Sequence, residues 1–208
     1  MRLFVKMLGV GLAVAALTAA GTLPGFAQEK IVRAKLGIAV KSGKVTRPAK
    51  SRDNLKAGDT LRIYVHPEES SYVYVVHTDG KSVSLLNMVE QRVQGSTLVL
   101  PSVQEYYAVD GKSEIETFTI VCSPEEVKQV WSLVHSQMTP ERWDNLQREL
   151  LRKGEMDLVQ KKVDKPFSIS GTVRSAGDGK GVDPFVKELK IFSGKSMVVK
   201  QYEFHVKN

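Results

Sequence analysis

Three Gly-Lys-Ser tripeptides are the segments of this chain that could hold a phosphate; they begin at Gly80, Gly111 and Gly194. A phosphate-binding loop needs another glycine five residues before the Gly-Lys-Ser, because bare backbone amides must wrap the phosphate. The chain has valine, tyrosine and leucine at the three corresponding positions. We therefore interpret all three tripeptides as turns.

The histidines and the cysteine are the next residues that could supply chemistry. The chain has four histidines, and no two of them lie three to five residues apart: His66, His77, His135 and His205. The spacing therefore fits neither zinc-hydrolase nor zinc-finger patterns. Cys122 is the only cysteine, and its phase with Phe118 and Ile120 predicts a buried thiol that acts as a small apolar residue. We predict no metal and no cofactor.

No catalytic constellation is visible in the sequence. There is no Gly-x-Ser-x-Gly elbow of a serine hydrolase. The acids Glu125, Glu126 and Glu141 stand where helices are expected to begin, and helix N-termini favour negative charge without any catalytic role. We therefore predict that the protein is not an enzyme. A hydrolase whose site is assembled from distant residues is the least favoured reading.

Tyrosines and basic residues are the candidates for recognition. Aromatic faces suit sugars, and lysine and arginine suit phosphate or carboxylate groups. The candidate binding surface consists of Tyr72, Tyr74, Tyr106, Tyr107, Lys41, Lys44, Arg47, Lys50 and Arg52. The five basic residues fall in residues 41–52, which contain no acid. The same segment also fits a solvated linker, and its lack of interleaved aromatics argues against nucleic-acid binding.

The first 27 residues have the three parts of a secretory signal peptide. Arg2 and Lys6 are basic, residues 7–20 are apolar and uncharged, and Gly25 and Ala27 are small residues at the cleavage positions. The apolar run is short for a bilayer core of about 30 Å. We predict cleavage after Ala27, export to the bacterial periplasm, and no transmembrane segment in the mature chain.

Cleavage would leave 181 of the 208 residues, and we predict a single domain over residues 28–208. The formal charge is +7, of which the signal segment carries +2. An exported basic protein can meet anionic lipid headgroups, glycans or other envelope polymers. With one cysteine the chain cannot form an internal disulfide, so its core must hold the fold.

Alternating apolar and polar residues predict strands along most of the chain. Residues 31–40 alternate as a half-buried strand, and residues 41–54 are interpreted as a basic loop. Further strands are predicted at residues 61–65, 72–78, 82–86, 97–100 and 115–122. Asp79-Gly80 suits a type I′ hairpin. In the last of these strands Phe118, Ile120 and Cys122 are expected to face inward.

A helical hairpin is predicted over residues 123–154. Ser123 and Glu126 form a capping box, with a proline at the first helical position. A second helix is predicted to begin at Thr139 and to stop at Gly154, and Trp143 lies on its apolar stripe. Strands are expected to return within residues 167–208, around a glycine-rich loop at residues 175–183. The predicted fold is mainly β (α+β), an antiparallel β-sandwich with two short helices inserted before the last strands.

Several of these segments resemble a bacterial family, domain of unknown function 4384 (DUF4384). The resemblance rests on Gly58-Asp59 before a strand, Tyr72-Val73-Tyr74-Val75-Val76, an Asp-Gly turn, Leu85-Leu86-Asn87, a Leu-x-Leu-Pro strand end, and Ile115 to Ser123. It covers about residues 55–126. The resemblance implies a β-sandwich module of exported or envelope proteins, with no catalytic residues to carry over.

Two functional readings remain open at this point. The first is a non-enzymatic periplasmic binding or adaptor module that contacts another envelope protein, either through an exposed strand edge or through the tyrosine surface. The alternative is a protein that binds glycan or an anionic envelope polymer, lipid headgroups included, through the basic segment and the tyrosines.

Overall fold

The computed structural model describes residues 31–87, 92–135, 138–154 and 183–207. The predicted signal peptide, the predicted strand in residues 167–173 and residues 175–182 of the predicted glycine-rich loop lie outside the described residues.

The described residues form strands, two α-helices and one 3-10 helix in a mainly β order. The strands are β1 (Val32–Ser42), β2 (Val45–Pro48), β3 (Arg52–Lys56), β4 (Thr60–Pro67), β5 (Tyr72–Thr78), β6 (Val83–Leu85), β7 (Leu98–Leu100), β8 (Tyr107–Ala108), β9 (Ile115–Ser123), β10 (Lys190–Gly194) and β11 (Val198–Lys207). The helices are α1 (Lys128–His135), α2 (Pro140–Gly154) and the 3-10 helix (Pro184–Glu188).

The strands pair into two sheets. The first sheet has the order β10-β1-β4-β7, with β2 also paired to β1 and β8 also paired to β4. The second sheet has the order β3-β11-β9-β5-β6. All pairs are antiparallel except β3 with β11. The structure therefore confirms the predicted β-sandwich with two α-helices before the last strands.

The main core lies between the two sheets, because alternate residues of each strand face the opposite sheet. The largest contributors are apolar residues that are almost fully buried: Leu36, Ile38, Leu55, Leu61, Ile63, Val75, Ile120 and Phe204. Phe118, Ile120 and Cys122 all belong to this cluster, which confirms that they face inward. Burial raises the pKa of the Cys122 thiol to about 12.

The outer face of the second sheet is covered by the helices. Residues out of phase with the inter-sheet core, such as Tyr74 and Val121, pack with Trp143 and Leu150 of α2 in a second apolar cluster. The helix begins at Pro140, one residue after the predicted start, and ends at Gly154, where the sequence predicts its stop. Trp143 is fully buried, so it serves as a packing anchor.

The outer face of the first sheet is covered by the 3-10 helix. Phe185 packs on Tyr64 with their ring centroids 5.0 Å apart and belongs to the same cluster as Ala39. A Cβ on Gly37 would lie 2.8 Å from the Leu189 side chain, so that side chain would have to shift to accommodate one. Because the 3-10 helix covers the outer face here, β1 is buried on both faces from Gly37 to Val40. The prediction of a half-buried strand is wrong there.

The prediction of a loop at residues 41–54 is also wrong. β1 continues to Ser42, Gly43 turns with a φ of 60°, and β2 pairs back along β1. β3 then crosses to the second sheet and runs parallel to β11. Most residues of β2 are exposed, so backbone pairing holds this strand. Because its side chains are not buried on one face, its sequence has no apolar–polar alternation that would predict a strand.

Two local predictions need correction. Thr78 pairs with Val83, so a four-residue loop joins β5 to β6 instead of a two-residue type I′ turn. Ser123 does not cap a helix, because it ends β9 opposite Tyr72. Its hydroxyl accepts only a local hydrogen bond from the Glu125 N–H at 3.3 Å, and α1 begins later, at Lys128.

Candidate functional site

The tetrapeptide Asp-Gly-Lys-Ser occurs twice, at residues 79–82 and 110–113. The first copy joins β5 to β6, and the second lies between β8 and β9. Thr78 at the end of β5 pairs with Thr117 near the start of β9, so both copies lie at the same end of the sandwich. The Ser113 hydroxyl donates to Asp79 at 3.5 Å and links them. We call these two segments the rim turns.

Each rim turn is closed by its own aspartate. Asp79 accepts the backbone N–H groups of Lys81 at 2.9 Å and Ser82 at 2.6 Å, and Asp110 accepts that of Lys112 at 3.0 Å. Burial raises the pKa of Asp79, but the N–H donors of Ser82 and Lys81 outweigh burial and hold the pKa below its ordinary value. The N–H and ammonium groups of Lys112 likewise lower the pKa of Asp110.

Two polar residues near this end occupy positions that face the core. Val73 and Val75 of β5 and Phe118 of β9 face the opposite sheet. Because facing alternates along a strand, His77 and Glu116 point the same way. The His77 Nε2 and a Glu116 carboxylate oxygen are hydrogen-bonded, with side chains only 22% and 14% exposed. The imidazole packs 4.8 Å from the Phe118 ring.

A cavity of about 360 Å³ opens between the rim turns and the His77–Glu116 pair. Its other wall comes from the first sheet, where Leu61 of β4 and Tyr107 of β8 are register partners. Burial raises the pKa of the Tyr107 hydroxyl. The other lining residues are Asp79, Leu86, Ala108, Val109, Asp110, Lys112, Ser113 and Phe118. We call this the end cavity, and its volume is within the roughly 300–1,000 Å³ usual for small-molecule sites.

The end cavity combines an apolar floor with polar groups at its opening. Leucine, valine and phenylalanine side chains form the floor. Carboxylates accept hydrogen bonds, lysine donates them, and serine, tyrosine and neutral histidine can do both. The arrangement can therefore hold a ligand that has an apolar face and several neutral polar groups.

The other histidine in the central strands is separate from this site. His66 lies in β4, where its Nδ1 is 3.1 Å from the Thr97 hydroxyl, and burial together with the Lys35 charge lowers its pKa. Within residues 31–87, 92–135, 138–154 and 183–207, no three histidine, cysteine or acidic side chains are grouped to hold a metal.

The four candidate tyrosines do not form one surface. Tyr74 is fully buried, and its hydroxyl accepts the Val127 N–H at 2.8 Å, so its prediction as a surface residue is wrong. Tyr72 is half-buried on the same strand. Tyr107 lines the end cavity. Tyr106 covers the Arg62 guanidinium at 3.8 Å from its ring centroid.

Tyr106 and Arg62 belong to a structural cluster on the first sheet. Arg62 is buried and forms an ion pair with Asp183 at 3.3 Å, and Tyr64 donates its hydroxyl to the same carboxylate. Burial and the Asp183 carboxylate raise the pKa of Tyr64. Asp183 also accepts the Phe185 N–H at 3.0 Å. The cluster therefore fixes the 3-10 helix to the sheet.

The five candidate basic residues are also divided. Lys41 lies 5.3 Å from the Tyr106 ring centroid and is the one basic candidate that contacts a candidate tyrosine among the described contacts. Arg47 binds Asp53 at 2.5 Å, and Arg52 approaches Glu203 at 3.9 Å. Lys44 and Lys50 are exposed. The segment is therefore a pair of strands with partly compensated charge.

A larger cavity of about 640 Å³ lies beside the start of α1. Its polar residues include Glu125 and Gln129, which are exposed, and Lys153, which already pairs with Glu149 at 2.6 Å. We call it the helix-side cavity. Its buried polar lining residue is Ser123, and its described lining includes no counterpart of the His77–Glu116 pair.

Comparison with family models, with curated proteins and with solved structures finds no match to this chain. Among the residues the structure describes, no helix is both long and apolar enough to span a membrane.

Sequence reasoning missed the His77–Glu116 pair and the meeting of the rim turns. Two signals were available. The repeated Asp-Gly-Lys-Ser marks two similar turns, and a histidine two residues after Val75 and a glutamate two residues before Phe118 interrupt otherwise apolar core-facing positions. Neither signal shows that the two strands are neighbours, because the pair is separated by 39 residues.

Proposed function

We propose that the protein is a non-enzymatic binding module of the bacterial cell envelope and that it recognises its partner through the end cavity. The observation that carries the proposal is the His77–Glu116 pair on core-facing positions. Two apolar side chains there would extend the core, whereas a polar pair must give up hydration on burial. Binding provides a reason for such a pair beside a cavity.

The envelope location is supported by the signal segment at residues 1–27 and by the resemblance of residues 55–126 to DUF4384. Both are sequence arguments. Together they support a protein that meets envelope proteins and polymers after export.

Recognition through a strand edge has weaker support than recognition through the cavity. The outermost strands are short: β10 and β3 have five residues each, and β6 and β7 have three each. β3 also carries Arg52, Asp53 and Lys56. Short and charged edges are the means by which sheet proteins resist strand addition.

The experiment compares two tryptophan variants in two cavities. Ala108→Trp adds a large side chain at an exposed lining residue of the end cavity, and Gln129→Trp makes the same kind of change at an exposed lining residue of the helix-side cavity. Wild type and both variants are crosslinked to envelope fractions. We expect Gln129→Trp to retain the wild-type crosslinked component and Ala108→Trp to lose it.

The result that contradicts the proposal is equal crosslinking by Ala108→Trp and wild type. Loss in both variants would point to general misfolding, and circular dichroism of the purified variants separates that outcome. Strand-edge recognition predicts that a charge change in β3 alone abolishes crosslinking while Ala108→Trp does not.

A hydrolase is the second candidate, and one specific observation supports it. The end cavity is a pocket in which a histidine meets a carboxylate, and such a pair can transfer protons. The test is turnover of a panel of chromogenic esters, glycosides and phosphate esters by wild type and by Glu116→Gln. Turnover that Glu116→Gln removes would favour the hydrolase over the binding module.

A further inference from the structure

We propose that the end cavity binds a neutral saccharide unit. This inference rests on the proposed function, since it names the ligand of the same cavity. It differs from the glycan hypothesis of the sequence, which places binding on the basic segment and the tyrosine surface.

The charged groups that line the end cavity already have hydrogen-bond partners within the protein. Glu116 is bonded to His77, Asp110 to the Lys112 ammonium at 2.9 Å, and Asp79 accepts the N–H groups of its own turn. The lining holds three carboxylates and one ammonium, so an anionic ligand would be repelled, and a cationic ligand would have to compete with the partners that the carboxylates already have. A neutral ligand keeps these pairs intact.

The hydrogen-bonding groups suit hydroxyls. A carboxylate has about four lone-pair sites, so Asp110 and Glu116 retain acceptor capacity beyond the bonds described, whereas Asp79 already accepts four hydrogen bonds. Tyr107 and Lys112 can donate. A saccharide hydroxyl both donates and accepts, so a ring with several hydroxyls can satisfy this mixture of donors and acceptors.

The walls suit the other part of a sugar ring. The C–H faces of a pyranose are apolar, and the aromatic ring of Tyr107 and the side chains of Leu61 and Leu86 provide an apolar surface against which such a face can pack. Polar groups stand at the opening, on the rim turns, and the apolar floor lies beneath them. Hydroxyls at the ring edge would therefore meet the rim.

The test is calorimetric titration of the full-length mature protein with defined sugars. N-acetylglucosamine oligomers represent the peptidoglycan backbone and neutral hexose oligomers represent other envelope polysaccharides, so the two arms separate the sources. Glucuronic acid and glucosamine serve as charged counterparts. We expect binding of a neutral sugar whose affinity changes less than about twofold between about 0.05 and 0.5 M salt, because no net charge is neutralised.

Two conservative variants probe the contacts. Glu116→Gln and Tyr107→Phe keep side-chain size, and each is expected to weaken binding roughly 10- to 100-fold, as loss of a hydrogen bond to a charged or buried group does. Glu203→Gln changes a carboxylate on β11 outside the end cavity and should leave the affinity unchanged.

Three outcomes would overturn the inference: no neutral sugar binds, only charged sugars bind, or Ala108→Trp leaves sugar binding intact. If sugars do not bind but crosslinking to an envelope component still depends on Ala108, the saccharide inference fails and the proposed function stands. If crosslinking is also independent of Ala108, both fail.

Discussion

Removing one hydroxyl from Tyr74 tests how the helices are attached to the second sheet. The Tyr74 hydroxyl accepts the backbone N–H of Val127 at 2.8 Å, one residue before α1 begins. Both residues are buried. In Tyr74→Phe the ring remains and this N–H loses its acceptor, so the variant measures one hydrogen bond with little change in packing.

The expected loss follows from the burial of the donor. An unsatisfied buried donor costs about 1–3 kcal/mol. For a chain of this size each kcal/mol lowers the melting temperature by about 2–4 °C, so Tyr74→Phe should melt about 2–12 °C below wild type. The assay is denaturant unfolding followed by circular dichroism, with thermal melting as a second measure.

Tyr72→Phe is the matched control, since it removes the same group two residues earlier on the same strand. Tyr72 is half-buried, so its variant should change the free energy of unfolding by less than about 0.5 kcal/mol. Equal stability of Tyr74→Phe and wild type, or a larger loss in Tyr72→Phe, would refute the assignment of Tyr74 as the anchor of the helices.

Three further predictions follow from burial, charge and the signal segment. The Cys122 thiol, with its pKa raised to about 12 by burial, should resist an aromatic disulfide reagent at pH 8 in the native protein and react only after unfolding; rapid native reaction would contradict its burial. Burial raises the pKa of Asp53, but the Arg47 guanidinium and the Lys50 and Asn54 N–H groups outweigh burial and lower the pKa below 3.8. The stability that Asp53 contributes should therefore be present above pH 3.8 and should be lost as the pH falls through its folded pKa. Asp53→Asn should flatten this part of the stability profile in acid unfolding, and an unchanged profile would contradict the pairing. Mass spectrometry of the exported protein should find an N-terminus at Gln28, and an intact Met1 terminus would contradict the signal peptide.

The sequence predicts well those strands whose alternate residues stay in phase with the inter-sheet core. Residues 115–122 match β9, and one of the strands expected within residues 167–208 is β11, because alternate residues of both enter the inter-sheet core. Residues 140–154 match α2 because apolar residues recur at helical spacing, and the stripe that they form is buried in the second apolar cluster. In each case one local periodicity reports one burial pattern.

The features that the sequence did not predict depend on contacts between distant segments. β2 is held by backbone pairing with β1, so its side chains carry no burial signal. Tyr72 and Tyr74 are alike in sequence, yet they differ in burial because Tyr74 enters the cluster beneath α2. The same limitation applies to the end cavity, whose rim turns are 31 residues apart and meet only when β5 and β9 pair.

The His77–Glu116 pair allows folding and binding to be separated by the sign of an effect. Replacing both residues together, His77→Leu with Glu116→Leu, removes a mostly buried polar pair and adds apolar surface to the core. Replacing a buried ion pair by apolar residues changes the free energy of unfolding by an amount that ranges from about zero to a stabilisation of about 1–4 kcal/mol. Because both side chains are still partly exposed, we expect the double variant to lie in the lower part of that range. Glu116→Leu alone should destabilise, because His77 then loses its carboxylate partner.

If the pair exists for the fold, the double variant should be less stable than wild type. If it exists for recognition, the double variant should be at least as stable while it loses the envelope component and any bound sugar. Denaturant unfolding and the crosslinking assay on the same preparation therefore separate the two hypotheses. The binding hypothesis predicts unchanged or higher stability with lost crosslinking, and the structural hypothesis predicts lower stability with retained crosslinking. A double variant that is destabilised and still binds would show that the pair supports the sandwich end and takes no part in recognition.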